Sequence, residues 1–393
     1  MSPHRLRYRE RHVQLSPKGW ALAKSRTLAL RATLLSERVI DFCLRRVPWA
    51  DRRVDSFSIS VDKLVHTVGR DRVPEEHLVG PLYQPLVLIS QVQRSGGTLL
   101  SQLFDGHRQC WAHPDELMFG NPVKWELEEA VFNYDRRTLR HLSPQGLRAC
   151  ARKRKYLKAH SRSGKYEPEF RFDYSWFRRR FHEICSSVPD PEARDVAAAY
   201  FGAFFEAWET ANGQIAPDEK RLITVFTPRV GMLPRSIDVF RHLWPAGVLI
   251  NVCRDPVDWY ASARRHYPRE YVDLESSLDL WQSSTRSAID AVAHSSGARS
   301  HLGHLVLFDD LISNTVAVMD ELASRLGIEN LPSLYNPTVG GHAVQSNSSF
   351  RSTHGIDQST LDRRSDLSDD QIRHIRRASS DLYEQAAEVA ILH

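Results

Sequence analysis

Leu86-Val87-Leu88-Ile89-Ser90-Gln91-Val92-Gln93-Arg94-Ser95-Gly96-Gly97-Thr98-Leu99-Leu100-Ser101-Gln102-Leu103-Phe104 is the stretch that decides the fold. The apolar run Leu86 to Ile89 suits a strand buried on both faces. Ser95-Gly96-Gly97-Thr98 then breaks the pattern, and Leu99, Leu100, Leu103 and Phe104 recur at helical spacing. A strand, a glycine turn and a helix together grip anions. The glycines let the backbone come close, and the first N–H groups of the helix point at the charge. Arg94 adds a permanent cation at the mouth.

The same strand–helix alternation continues downstream. Apolar strands are expected at 222–226, 247–253 and 304–308, and helices at about 232–243, 255–266, 276–294 and 315–326. Asp255 and Pro256 form a helix start, with the acid as cap and the proline in the first turn. Gly327 closes the helix that begins near Thr315. This pattern predicts an α/β fold with a central parallel sheet covered on both faces. Ligands of such sheets bind at the carboxyl ends of the strands, where both Arg94–Thr98 and Arg254–Ser262 fall. Trp111 to Glu116 reads as a loop leaving the first helix, and Asp309-Asp310-Leu311 as the start of another loop.

Composition bounds the remaining possibilities. The 393 residues, 41% hydrophobic and 26% charged, describe an ordinary globular chain, and a net charge of +5 does not demand nucleic acid. The five cysteines, Cys43, Cys110, Cys150, Cys185 and Cys253, are scattered, without metal-ligand or disulfide spacing. They suit a reducing, cytoplasmic compartment. No apolar window is long enough to span a bilayer, and the N-terminus does not read as a secretory signal.

Residues 1–80 form a basic N-terminal extension, with eleven Arg or Lys against three acids in the first fifty positions. A helix from Pro17 to Val47 with one basic face either packs on its own domain or rests on an anionic membrane surface. Residues 81–393 form the main domain, with a helical insertion at about 121–220. That insertion holds a basic run from Arg148 to Lys165 and the cluster Trp176 to Phe181, a solvated charged face or a contact for an acidic acceptor. The Gly340-Gly341 segment and the Ser/Asn run up to Phe350 read as a mobile loop, either a lid or a linker to a terminal helix at about 368–391.

Gln93-Arg94-Ser95-Gly96-Gly97-Thr98, then Arg254-Asp255-Pro256, then Ser262 eight residues after Arg254, resemble the sulfotransferases that use 3′-phosphoadenylyl sulfate (PAPS). Thr227-Pro228-Arg229, Phe308-Asp309-Asp310-Leu311 and the segment Ser346 to Phe350 extend the resemblance over about 84–390. It implies a three-layer sandwich with a central parallel sheet, the P-loop NTPase-like sulfotransferase fold. PAPS would be the co-substrate and no metal would be needed. Ser95, Gly96, Gly97, Thr98 and Leu99 would bind the 5′-phosphate. Arg94 would serve both binding and catalysis, Arg254 and Ser262 would clamp the 3′-phosphate, and Ser349 and Phe350 would belong to the closing segment. Glu116, with His113 next to it in order of preference and Asp115 beside them, would supply the general base.

Two positions depart from the family pattern. Gly97 stands where many members carry Thr, and Phe226 where many carry Lys. The backbone donor at Gly97 is expected to keep phosphate binding intact. The acceptor implied is a hydroxyl or amine, on a carbohydrate or a glycolipid, with peripheral membrane contact through the basic helix. Two other readings stay open: a P-loop phosphotransferase, and a non-catalytic binder of polyanions or membrane surfaces. The first is weakened because no GxxxxGK[ST] pattern is present.

Overall fold

The computed structural model describes residues 78–117, 174–212, 219–293, 303–343, 355–358 and 366–393. The N-terminal basic helix, the Arg148–Lys165 run, Ser349 and Phe350 lie outside the described residues.

Five parallel strands form the sheet: β1 (Leu86–Ser90), β2 (Cys110–Glu116), β3 (Leu222–Phe226), β4 (Val248–Cys253) and β5 (Gly303–Leu307). Their order is β2-β3-β1-β4-β5. The helices, in chain order, are α1 (Gly97–Phe104), α2 (Tyr174–Ser187), α3 (Ala193–Asn212), α4 (Pro234–Leu243), α5 (Pro256–His266), α6 (Leu274–Ala293), α7 (Phe308–Ser313), α8 (Thr315–Leu326) and α9 (Asp369–Glu388). This is the expected α/β three-layer sandwich. Every residue of β1, β3, β4 and β5 is buried, as continuous apolar strands require.

Strand alternation distributes the core between the two faces. On one side Val87, Ile89, Ile250, Val252 and Val306 meet Leu99, Leu103 and Phe104 of α1 and Met319 and Leu322 of α8. On the other, Leu305 and Leu307 meet Trp259 of α5, Trp281 of α6 and Ile375 of α9. A third cluster of rings joins Trp111 of β2 to Phe205 of α3 at 5.0 Å, and Phe201 to Trp244 at 6.1 Å. Each fully buried ring contributes about 2–3 kcal/mol.

β2 replaces the expected loop at 111–116. It is the edge strand, pairing only with β3, so the missing N–H of Pro114 breaks no second ladder. Two further expectations are corrected. Asp309 and Asp310 lie in the first turn of α7, where acids favour the helix dipole, and not in a loop. Gly340 and Gly341, both at positive φ, turn a two-stranded hairpin, β6 (Thr338–Val339) with β7 (His342–Ala343). The buried Asp105 carboxylate anchors it, accepting from Gly341 N and Thr338 Oγ1 at 2.7 Å each.

Entry into the sheet is fixed by Glu206 of α3, a carboxylate 1% exposed. It accepts from Arg180 Nε at 2.7 Å, Trp176 Nε1 at 3.1 Å and Val79 N at 3.0 Å. Gly202 allows this approach, because a Cβ there would lie 1.8 Å from the Gly80 carbonyl oxygen.

Candidate active site

β1 and β4 are neighbours, with Ser90 opposite Asn251, but the chain leaves them in opposite directions across the sheet. A crevice at the carboxyl ends follows from this topology. The loop after β1 carries Arg94 to Thr98, and the loop after β4 carries Arg254. Two segments 160 residues apart in sequence touch here, as Arg254 Nη1 donates to the Arg94 carbonyl at 3.3 Å.

The first loop is shaped by backbone that only its anchors make tolerable. Arg94 has φ 75° and Gly96 φ 108°. A non-glycine residue in the left-handed region costs on the order of 1 kcal/mol, and such strain concentrates at functional sites. Gly96 is the N-cap of α1 without a side-chain cap, and no acid lies in the first turn, so the helix supplies no negative group of its own to its positive end. The loop's carbonyls, in contrast, are engaged. Gln91 O accepts from Arg229 N at 2.8 Å, Gln93 O from Trp259 Nε1 at 2.8 Å, and Arg94 O from Arg254. With its acceptors turned into the protein, the loop offers donors to a ligand. The Ser95 hydroxyl is 1% exposed and has no hydrogen-bond partner among the described residues, which fits an anion's oxygen.

The expected phosphate-binding residues do not all contribute alike. Thr98 is exposed at the helix start. The Leu99 side chain is in the core, 2% exposed, leaving only its N–H for a ligand. The Gly97 N–H has a partner within the protein itself. With the Gln91 amide in its hydrogen-bonding orientation, the nitrogen donates to Ser90 O at 3.0 Å and the oxygen accepts from Gly97 N at 3.3 Å.

The structure also links the two departures from the family pattern. A Cβ at position 97 would meet the Gln91 amide at 2.1 Å and the Phe226 ring at 2.5 Å. Glycine at 97 and phenylalanine at 226 therefore fit one another, a coupling that separate readings of the two positions missed.

Arg254, 3% exposed, stacks its guanidinium over the Phe308 ring at 4.4 Å. The same ring lies directly beneath Gly96, where a Cβ would come within 2.2 Å of it. Phe308 thus sits between the two loops. Asp255 caps α5 as its sequence position suggests, accepting from Val257 N at 2.9 Å and Asp258 N at 3.0 Å. Ser262 lies nearly two turns into α5 and is wholly buried. Beyond Arg254, burial raises the carboxyl pKa of Asp309, which accepts from Tyr383 Oη at 3.2 Å.

The candidate bases separate in space. His113 is 1% exposed and stacks on Phe204 with ring centroids 4.3 Å apart, inside the aromatic core. Glu116 is half-buried at the carboxyl end of β2 and pairs in register with Phe226, whose ring reaches position 97. Glu116 therefore lies on the rim that carries the anion loop. Asp115 lies between them on the same strand.

The Thr227-Pro228-Arg229 turn holds this rim together. Thr227 N donates to Ile89 O at 2.9 Å and Thr227 Oγ1 to Leu117 O at 2.9 Å, tying β1, β3 and the end of β2. Among the described residues, no group of three or more His, Cys, Asp or Glu side chains is placed to hold a metal ion, and no helix is long and apolar enough to cross a membrane.

No curated protein matches the chain. Among solved structures, the sulfotransferase domain from the curacin biosynthetic pathway is 16% identical, with 76% of this chain and 98% of that one covered and a TM-score of 0.47. The sulfotransferase domain of the Synechococcus PCC 7002 olefin synthase is 18% identical, covers 81% and 98%, and has a TM-score of 0.48. Retinol dehydratase, solved with androsterone and the inactive cofactor PAP, is 14% identical, covers 79% and 83%, and has a TM-score of 0.34. These likenesses are too distant to assign a role to any residue. The family model is more decisive: residues 85–332 match that of the Sulfotransferase family, and the chain belongs to it.

Proposed function

We propose that the chain transfers a sulfuryl group from PAPS to a hydroxyl or amine, on a carbohydrate or glycolipid acceptor. Sulfuryl transfer is the chemistry of the family. The observation that supports this donor is the pairing of two cationic loops, Arg94–Thr98 and Arg254, across the crevice between β1 and β4. One anion site would serve a simple phosphate, whereas two adjoining sites suit a ligand charged at both its 5′ and 3′ positions.

When bound, PAPS supplies the sulfuryl group on a phosphosulfate anhydride. The Ser95 hydroxyl and the N–H groups at the start of α1 would hold the 5′-phosphate. Arg94, a planar fork of fixed charge, would hold the phosphosulfate group and would stabilise negative charge developing on it. Arg254 holds the 3′-phosphate, its guanidinium kept in place by Phe308. Ser262 supports it in the role the family resemblance gives. Glu116 accepts the proton from the acceptor hydroxyl, while His113 is committed to the aromatic core. The carbohydrate or glycolipid acceptor is suggested by the basic runs of the sequence, at 17–47 and 148–165.

Transfer of radiolabelled sulfate from PAPS to a panel of glycans, glycolipids and small alcohols tests this reading. Label should enter at least one acceptor. Glu116→Gln should lower transfer by about 100-fold or more while retaining the bound nucleotide. Full transfer by that variant would remove Glu116 from the role of base.

A further inference from the structure

Two non-glycine residues with left-handed backbone lie at the carboxyl ends of β1 and β3: Arg94 at φ 75° and Arg229 at φ 69°. They are joined through Gln93. Arg229 Nε donates to Gln93 Oε1, and Arg229 N donates to the Gln91 carbonyl. The other side of the Arg229 fork is held in turn, with Nη2 donating to Glu270 Oε1 at 3.1 Å and lying 3.0 Å from Tyr271 Oη. Trp259 Nε1 holds the Gln93 carbonyl from the α5 side. Gln93 is thus gripped at both its side chain and its backbone, immediately before Arg94.

We propose that Arg229 is a positioning residue for Arg94. It acts through Gln93, and Glu270 and Tyr271 fix the fork that does so. A guanidinium suits this task, because it spans Gln93 on one edge and Glu270 with Tyr271 on the other, which a single ammonium cannot do. Tyr271 also lies within electrostatic reach of both Arg229 and Arg94, so the brace and Arg94 belong to one local network. The brace bears on the 5′ side of the site. The 3′ side, at Arg254, touches the Arg94 loop through its bond to the Arg94 carbonyl, but it has supports of its own in Phe308 and in the bond from Trp281 Nε1 to the Arg254 carbonyl at 3.1 Å.

This inference rests on the two-anion reading above, and the experiment separates the two. Wild type, Arg229→Ala, Gln93→Ala, the double variant and Glu270→Ala are titrated with adenosine 3′,5′-bisphosphate and with adenosine 3′-monophosphate. Failure of the wild type to bind the bisphosphate overturns the reading of the site itself. With wild-type binding in place, Arg229→Ala and Gln93→Ala should each weaken the bisphosphate by about 10-fold or more, weaken the 3′-monophosphate by clearly less, and show no further loss when combined. Glu270→Ala, which alters only a half-exposed carboxylate, should give a smaller loss with the same ligand selectivity, and it supplies the readout if Arg229→Ala does not fold. Equal loss for both ligands, independent losses in the double variant, or wild-type affinity throughout would each overturn the positioning role.

Discussion

Replacing Gly97 by Thr tests how the anion loop is packed. A Cβ at 97 falls 2.1 Å from the Gln91 amide and 2.5 Å from the Phe226 ring, against ordinary contact beginning at 3.4 Å. The ring must retreat by about 0.9 Å and the amide by about 1.3 Å, within a core where Phe226 is only 5% exposed. Overpacking of this degree costs about 1–3 kcal/mol, and displacing the Gln91 amide also gives up its bond from the Gly97 N–H. At roughly 2–4 °C per kcal/mol for a domain of this size, the melting temperature should fall by about 3–18 °C. A thermal melt reads this directly. Phe226→Ala alone also destabilises, by about 3–5 kcal/mol, through the cavity it leaves. The double variant should therefore be more stable than the sum of the two losses predicts, by at least about 1 kcal/mol. A Gly97→Thr protein that melts with the wild type, or losses that simply add, would refute the coupling of the two positions.

Other expected outcomes concern stability. Glu206→Ala removes the acceptor for Arg180, Trp176 and the Val79 N–H at a buried site, and should cost about 3–5 kcal/mol in urea unfolding, with Glu206→Gln milder. His304 on β5 is buried, its Nε2 has no hydrogen-bond partner among the described residues, and its pKa is lowered from 6.5 to about 4, chiefly by burial. The unfolded chain then takes up a proton that the folded one refuses. Stability should be full above pH 6.5 and fall as the pH drops, by about 2 kcal/mol at pH 5. His304→Leu should flatten that part of the profile in denaturant titrations at pH 5 and pH 7.

The sheet was legible wherever strands are buried on both faces, since β1, β3, β4 and β5 are continuous apolar runs. β2 was hidden because an edge strand tolerates His113, Pro114, Asp115 and Glu116, residues that read as a loop. The two cationic loops were visible because glycine, proline and arginine mark them locally. The role of Phe308 was not, because its position between Arg254 and Gly96 exists only after the loops of β1, β4 and β5 converge. Arg229 likewise stands in a recognisable turn, but its partners Gln93 and Glu270 are brought to it by tertiary structure. The contact between the Gly97 N–H and the Gln91 amide had no local signal, since it forms only when the loop folds back on the end of β1.

The most direct measurement of the two-anion site is isothermal titration of the wild type and Arg254→Ala with adenosine 3′,5′-bisphosphate, alongside ATP with magnesium. The bisphosphate should bind the wild type, and loss of the buried Arg254 charge should weaken it by about 30-fold or more. Normal binding of magnesium–ATP with none of the bisphosphate, or bisphosphate affinity unchanged by Arg254→Ala, would contradict the account.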